Sequence, residues 1–264
     1  MEISRISVLF FSPTGRTRRV SRYLTEGLRQ TKKTIVNTNI TSKEDRDTPR
    51  EFAPDELVFV VSPVYFGRVP LPLQALPQLK GNGAAVVPIV VYGNRQYEDA
   101  LRELSDVLTK SGFNTVAGAA FIAEHNQIPT LAEGRPDLED RKAIAAFAEA
   151  AAQKVLQAES IADILLTVPG EGDYRPYPGV PTAPVPPAGC RHCSMCADVC
   201  PVDIIDPQTF TATDPSKCIG CFACIAACPD HDRHFPSPVK EMMSKKLAMM
   251  AAANAERKNP TILL

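Results

Sequence analysis

The chain contains no tryptophan, and its first 189 residues contain no cysteine. Charge of one sign is also missing: 29 Lys and Arg stand against 30 Asp and Glu, a net charge of −1. Bulk electrostatics therefore give no pull toward nucleic acid. No apolar run approaches the roughly 20 residues that cross a bilayer, so no membrane span is expected. The strongest run, Ala84 to Val91, is strand-length and carries Pro88. The opening residues Met1-Glu2-Ile3-Ser4-Arg5 show neither the basic region nor the apolar region of a secretory leader, and a cytoplasmic location is expected. What is present is a globular composition, with 264 residues, 44% hydrophobic and 22% charged. That length suits one large domain or two ordinary ones. The two unusual counts are 8 cysteines and 24 prolines.

All eight cysteines fall between Cys190 and Cys228. A disulfide-stapled secreted scaffold is short and follows a leader, whereas clustered thiols in a reducing compartment read as metal ligands. Prolines mark the border of this region. Pro169, Pro176, Pro178, Pro181, Pro184, Pro186 and Pro187 share one stretch with Gly170, Gly172 and Gly179. Such a segment cannot be a helix interior or a central strand, and reads as a stiff extended linker. The expected organisation is an N-terminal domain over 1–166, a linker over 167–188, a cysteine domain over 189–236 and a tail over 237–264. Charge follows the same division: zero to residue 166, −4 over 167–239 and +3 from Lys240 onward.

The N-terminal region alternates strand and helix patterns. Ile3 to Phe11, Thr34 to Ile40, Glu56 to Ser62, Ala84 to Tyr92 and Asn114 to Ala123 read as strands. Val20, Leu24 and Leu28 recur at helical spacing in Thr17 to Gln30, Tyr97 to Ser111 is a second helix, and Asp137 caps a long Ala-rich third helix. This alternation implies an α/β fold with a doubly wound parallel sheet, whose ligands sit at the carboxyl ends of the strands.

Three strand ends carry candidate ligand-binding residues. Ser12-Pro13-Thr14-Gly15-Arg16-Thr17 places hydroxyls and a Gly-bearing turn before the first helix, where backbone N–H groups hold an anion. No P-loop lysine is present, so a phosphomonoester suits the turn better than a triphosphate. The second segment holds Pro63, Val64, Tyr65, Phe66 and Gly67, and the third holds Gly93, Asn94, Arg95 and Tyr97. Each offers an aromatic ring to stack on a flat heterocycle and a glycine that lets backbone approach it. The plainer readings are a capped turn and aromatic residues that merely cover the sheet edge. His125, after the fifth strand, stands either near the same edge or in a solvated loop.

Together these loops resemble the flavodoxin family. Its phosphate loop, S/T-x-T-G-x-T, is met by Ser12, Thr14, Gly15 and Thr17. The resemblance covers roughly residues 1–160 and implies FMN in a five-stranded doubly wound sheet. Arg16 departs from the uncharged residue usual there, and the lack of tryptophan leaves stacking to Tyr or Phe.

The cysteines form an internal repeat: Cys190-x-x-Cys193-x-x-Cys196-x-x-x-Cys200-Pro201 and Cys218-x-x-Cys221-x-x-Cys224-x-x-x-Cys228-Pro229. This resembles the bacterial ferredoxin run and implies two [4Fe-4S] clusters in a small α+β domain. In that family the fourth cysteine of each run ligates the other cluster. The implied sets are Cys190, Cys193, Cys196 and Cys228 for one, and Cys218, Cys221, Cys224 and Cys200 for the other. Two Cys₄ zinc sites are the alternative, although zinc favours separated C-x-x-C knuckles. Ser237-Pro238 to Arg257 reads as a terminal helix whose stripe of Met243, Leu247 and Met250 is expected to pack within the molecule.

The whole resembles the flavodoxin–ferredoxin fusions of anaerobic electron transfer. Two functions follow. One is an electron carrier serving redox partner proteins. The other is an FMN-dependent reductase, with a small substrate stacked near Tyr65, Tyr97 and His125.

Overall fold

The computed structural model describes residues 2–264. Its first half is built on β1 (Arg5–Phe10), β2 (Thr34–Asn39), β4 (Glu56–Pro63), β6 (Ala85–Tyr92) and β8 (Gly118–Ile122), all parallel, in the order β2-β1-β4-β6-β8. Numbered by these five strands alone, the order is 2-1-3-4-5, the flavodoxin-like doubly wound arrangement. All eight residues of β4 and all eight of β6 are buried, as required of strands covered on both faces.

The period of two sorts each strand between two cores. Ile6, Val8 and Phe10 of β1 join Leu57, Phe59 and Val61 of β4 under α1 (Arg16–Leu28) and α4 (Leu138–Gln157). Leu9, Val58 and Val60 face the other side, with Leu101 and Leu104 of α3 (Ala100–Lys110). On this second face the crossovers are short. α2 (Lys43–Asp47) has one turn, and the connection from β4 to β6 has a single 3-10 turn at Leu71–Leu73 plus β5 (Leu79–Lys80), paired with β3 (Arg50–Glu51). The uncovered apolar surface is filled from the cysteine region: Ile219, Cys221 and Ala223 belong to the same core as Leu9 and Val60.

The structure differs from the sequence expectation in three places. The fifth strand is split into β7 (Asn114–Thr115) and β8, both paired to β6. The gap lies opposite Pro88, which has no N–H to give the ladder. The sheet also gains an antiparallel edge strand, β9 (Thr261–Leu263), from the end of the chain. The terminal helix forms, as α7 (Ser237–Ala253), but none of its residues is buried, so its methionines pack into no core. Met249 is 75% exposed.

The proline-rich segment has no helix and almost no strand pairing, yet it is tied down throughout. Leu166 N donates to Thr115 O, Arg102 Nη1 donates to Val168 O, and the Tyr174 hydroxyl donates to Asp106. Val185 bridges to His234. In the cysteine region α5 (Met195–Asp198) and α6 (Ala223–Ala226) follow equivalent positions of the two repeats. Among the described residues no helix is long and apolar enough to cross a membrane.

The close approach of α1 to α4 depends on Gly27, where a Cβ would lie 2.1 Å from Ala145 O. Backbone cannot yield as a side chain does. Gly27→Ala is expected to destabilise the fold by about 1–3 kcal/mol, the range for overpacking, measured as a lower urea midpoint with unchanged m-value.

Candidate functional site

A cavity opens at the carboxyl ends of β1, β4, β6 and β8. It is lined by Thr14, Arg16, Thr17, Pro63, Val64, Tyr65, Val91, Tyr92, Gly93, Ala123, Glu124 and Asn126. Its floor at one end is the start of α1. Gly15, at φ 82°, turns the chain into the helix. The first turn of a helix has no internal acceptors for its amides; here Ser12 takes those of Gly15 and Arg18, through its carbonyl and its hydroxyl, and the amides of Arg16 and Thr17 remain to face an anion. Ser12 does not reach the cavity; its hydroxyl accepts from Arg18 N and its own N–H donates to Thr41 Oγ1. Arg16 pairs with Glu124, and its Nε is buried without a partner. A buried guanidinium N–H with no acceptor calls for one from water or a ligand, and a phosphate oxygen is an acceptor that fits there.

The ring-binding candidates divide. Pro63, Val64, Tyr65 and Gly93 line the cavity. Phe66 points instead to the cysteine region, packing edge-on to Tyr177 with centroids 5.6 Å apart. Gly67 sits against Glu98, whose carboxylate a Cβ would meet at 2.3 Å. The polar groups of Asn94 are spent on the end of the chain: Nδ2 donates to the carbonyls of Asn254 and Glu256, and Oδ1 accepts from Lys258 N. Arg95 O accepts from Lys258 Nζ. Tyr97 packs on Tyr92 and its hydroxyl donates to Thr261 Oγ1. Tyr92, at the start of the third segment, lines the cavity as well. Sequence reasoning missed Glu124 and Asn126 as lining residues; they follow β8, and the strand-end rule alone points there.

His125 lies against Gly93, where a Cβ would come within 2.4 Å of its ring. Its Nδ1 accepts from the amides of Gln127 and Ile128. Burial, then the charges of Arg16 and Arg95, lowers its pKa to about 4. Nδ1 is thereby an acceptor in a neutral, half-buried ring that shapes the loop.

The cysteines are all free thiols and surround two cavities. One is lined by Cys200, Cys218, Cys221 and Cys224, the other by Cys190, Cys193, Cys196 and Cys228. Four thiols line each cavity, the ligand count of one four-iron cluster. Burial pushes the thiol of Cys224 up to about 11 and that of Cys221 higher still. Thiolates here need a cation beside them.

Backbone geometry repeats with the sequence. His192 and Gly220 precede the second cysteine of each run with φ 57° and 66°, Ser194 and Phe222 follow it with 64° and 63°, and Asp203 and His231 stand three residues past the last cysteine with 51° and 54°. These left-handed turns fold each loop around its cavity.

The second run is the one against the sheet. Asn126 Nδ2 donates to Cys221 O at 3.0 Å, Gln127 Nε2 to Gly220 O at 3.4 Å, and the Tyr177 hydroxyl to Ile219 O at 2.9 Å. A Cβ on Gly220 would meet Phe66 and Val180 at 3.0 Å. Asn126 thus lines the sheet-edge cavity and also holds the backbone of a cysteine that lines the neighbouring one. The first run is open at its start, where Cys193 is exposed, while its Cys196 and Cys200 are buried like Cys221 and Cys224 of the second.

Residues 185–229 match the family described as 4Fe-4S dicluster domain. Over 49 residues the chain is 43% identical to the thiosulfate reductase electron transfer subunit PhsB of Salmonella typhi, covering 17% of this chain and 26% of that protein. Over 51 residues it is 45% identical to the formate dehydrogenase iron-sulfur subunit of Wolinella succinogenes, covering 18% and 26%. The chain spans about a quarter of the length of these curated relatives. The oxidised flavodoxin 2 of Bacillus cereus superposes with a TM-score of 0.44 at 16% identity, over 57% of this chain and 99% of that one.

The neutral state of His125 has a checkable consequence. A histidine whose folded pKa is below its unfolded value of about 6.5 favours folding fully above 6.5, and loses that contribution as pH falls toward 4. In nitrogen-detected NMR, the His125 ring is expected to stay neutral down to pH 5, with Nδ1 unprotonated. A midpoint near 6.5 would show a solvated ring.

The strand order of the first half and the two cysteine-lined cavities of the second describe one chain, a flavodoxin-like α/β domain joined to a 4Fe-4S dicluster domain.

Proposed function

We propose that the protein relays electrons between FMN, held at the sheet edge, and two [4Fe-4S] clusters held by the cysteine runs. Electron transfer in general follows from the dicluster domain; the flavin, the ligand sets and the route are the proposal. FMN supplies one- or two-electron exchange and each cluster one-electron exchange.

The chain's own residues provide position and screening. Thr14, Thr17 and the first amides of α1, at Arg16 and Thr17, offer hydroxyl and N–H donors to the phosphate, and Arg16 adds its charge. Pro63, Val64, Tyr65, Tyr92 and Gly93 give the ring an apolar berth. Cys218, Cys221 and Cys224 with Cys200 hold the inner cluster, and Cys190, Cys193 and Cys196 with Cys228 the outer one. The observation that carries the relay is the hydrogen bond from Asn126 to Cys221 O, which ties a residue of the flavin cavity to the backbone of an inner ligand. The exposed Cys193 side offers the outer cluster to a redox partner protein.

The reductase alternative needs substrate access beside Tyr97 and His125. Tyr97 is held by Tyr92 and Thr261, and His125 is packed on Gly93. The observations favour the relay.

Anaerobically purified protein is expected to hold about eight iron atoms, with acid-labile sulfide to match, and one FMN. Two zinc ions and no sulfide would end this reading. Thr14→Ala with Thr17→Ala is expected to weaken FMN binding about tenfold or more through lost phosphate hydrogen bonds, with the fold retained by circular dichroism. Cys200→Ser is expected to damage the inner cluster, seen as loss of one of two iron–sulfur EPR signals. In rapid-mixing experiments, electron exchange between clusters and flavin is expected at a rate independent of protein concentration. A rate proportional to concentration would mean exchange between molecules.

A further inference from the structure

Among the described residues three arginines are buried, and two of them have carboxylate partners. Arg68 donates through Nε to Glu103 at 2.8 Å, and Arg135 through Nε to Asp140 at 2.8 Å. The third, Arg233, is 3% exposed and has no carboxylate partner among the described residues. Its Nη1 donates to Phe210 O at 2.9 Å and lies 3.5 Å from Cys196 Sγ; its Nη2 donates to Pro184 O at 2.9 Å. Cys224 lines the inner cavity with it. Its Nε is buried with no partner at all. Arg233 lines both cysteine cavities.

A guanidinium taken out of water without an anion is strongly disfavoured, because its lost hydration is not replaced. Two carbonyls accept hydrogen bonds but carry no net charge. The groups of opposite sign at hand are the thiolates, and Arg233 faces both sets: it lies 3.5 Å from Cys196 on the outer side and lines the inner cavity with Cys200, Cys218, Cys221 and Cys224. We propose that Arg233 is the shared counter-charge of the two clusters, a positioning residue that stabilises the reduced form of both through their sulfur ligands. This rests on the two-cluster reading above. One-electron reduction makes a cluster more negative by one charge with no bond made or broken, so a fixed positive charge between two clusters raises both potentials together. Arg191, by contrast, is exposed and paired with Asp230 on the outer run alone.

The test uses the full-length holoprotein, with iron and sulfide counted in every variant and both midpoint potentials read by EPR-monitored redox titration. Arg233→Gln keeps donors for the carbonyls of Phe210 and Pro184 and removes the charge. It is expected to lower both potentials, each by about 59 mV or more, a tenfold change for a one-electron couple. Arg233→Lys keeps the charge without the fork, and both potentials are expected to stay nearer to wild type than in Arg233→Gln. Should Arg233→Gln fail to load iron, fully loaded Arg233→Lys with near wild-type potentials supports the charge, and failure of both variants to load overturns it in favour of a structural tie. A shift in only one cluster, or in neither, with eight irons retained also overturns it. Absence of clusters from the wild type would instead reject the two-cluster reading itself.

Discussion

A thiolate taken out of water must find positive charge close by, and the second half of this molecule is arranged around that requirement. Four cysteines line each of two cavities, and burial pushes the thiols of Cys221 and Cys224 upward. Clustered irons reverse the preference, so metal loading and the folded geometry of the two loops support each other. The repeated left-handed turns at His192 and Gly220, and again at Ser194 and Phe222, let short loops encircle a cavity with little chain.

The same loops complete the first half. A doubly wound sheet needs both faces covered. Here α2 is one turn long, and the β4–β6 crossover has no α-helix, so Ile219, Cys221 and Ala223 cover apolar surface that a crossover helix would otherwise cover. The two halves therefore share a core, and the proline-rich segment between them acts as a strap bonded along α3. Shared packing fixes the inner loop against the Tyr65–Phe66 segment more firmly than a flexible tether does, because the ordering cost is met during folding.

Much of this was legible in the sequence, because each feature had a local cause. Continuous apolar runs such as Glu56 to Ser62 give central strands, and Asp137 caps α4 by accepting from Glu139 N and Asp140 N. The spacing of the eight cysteines carries the repeat, and the chain groups them accordingly around two cavities. What was not legible depends on contacts between distant residues. The sequence does not pair Thr261–Leu263 with Gly118–Ala120 across the fold, since three residues carry too little periodicity. Tyr97 and Asn94 face the C-terminal segment and not the cavity for the same reason. The strand break opposite Pro88 needs the register between β6 and its neighbours, which composition cannot supply.

The C-terminal segment shows how such distant contacts shape the site. After α7, residues 254–263 cross the third loop: Asn94 bonds to Asn254, Glu256 and Lys258, Arg135 donates to Lys258 O, and β9 then joins the sheet beside β8. Arg257 pairs with Asp137, holding its carboxyl well below the usual range. The loop that leaves β6 is thus closed from the outside by the end of the chain. Asn126, on the connection after β8, remains directed to the cysteine loop. In the proposed relay this asymmetry gives the flavin cavity a protein-covered flank toward the inner cysteines, while the exposed Cys193 leaves the outer run open to a partner. Direction in the molecule then comes from packing: the most buried thiols stand beside the sheet and the least buried one stands at the surface.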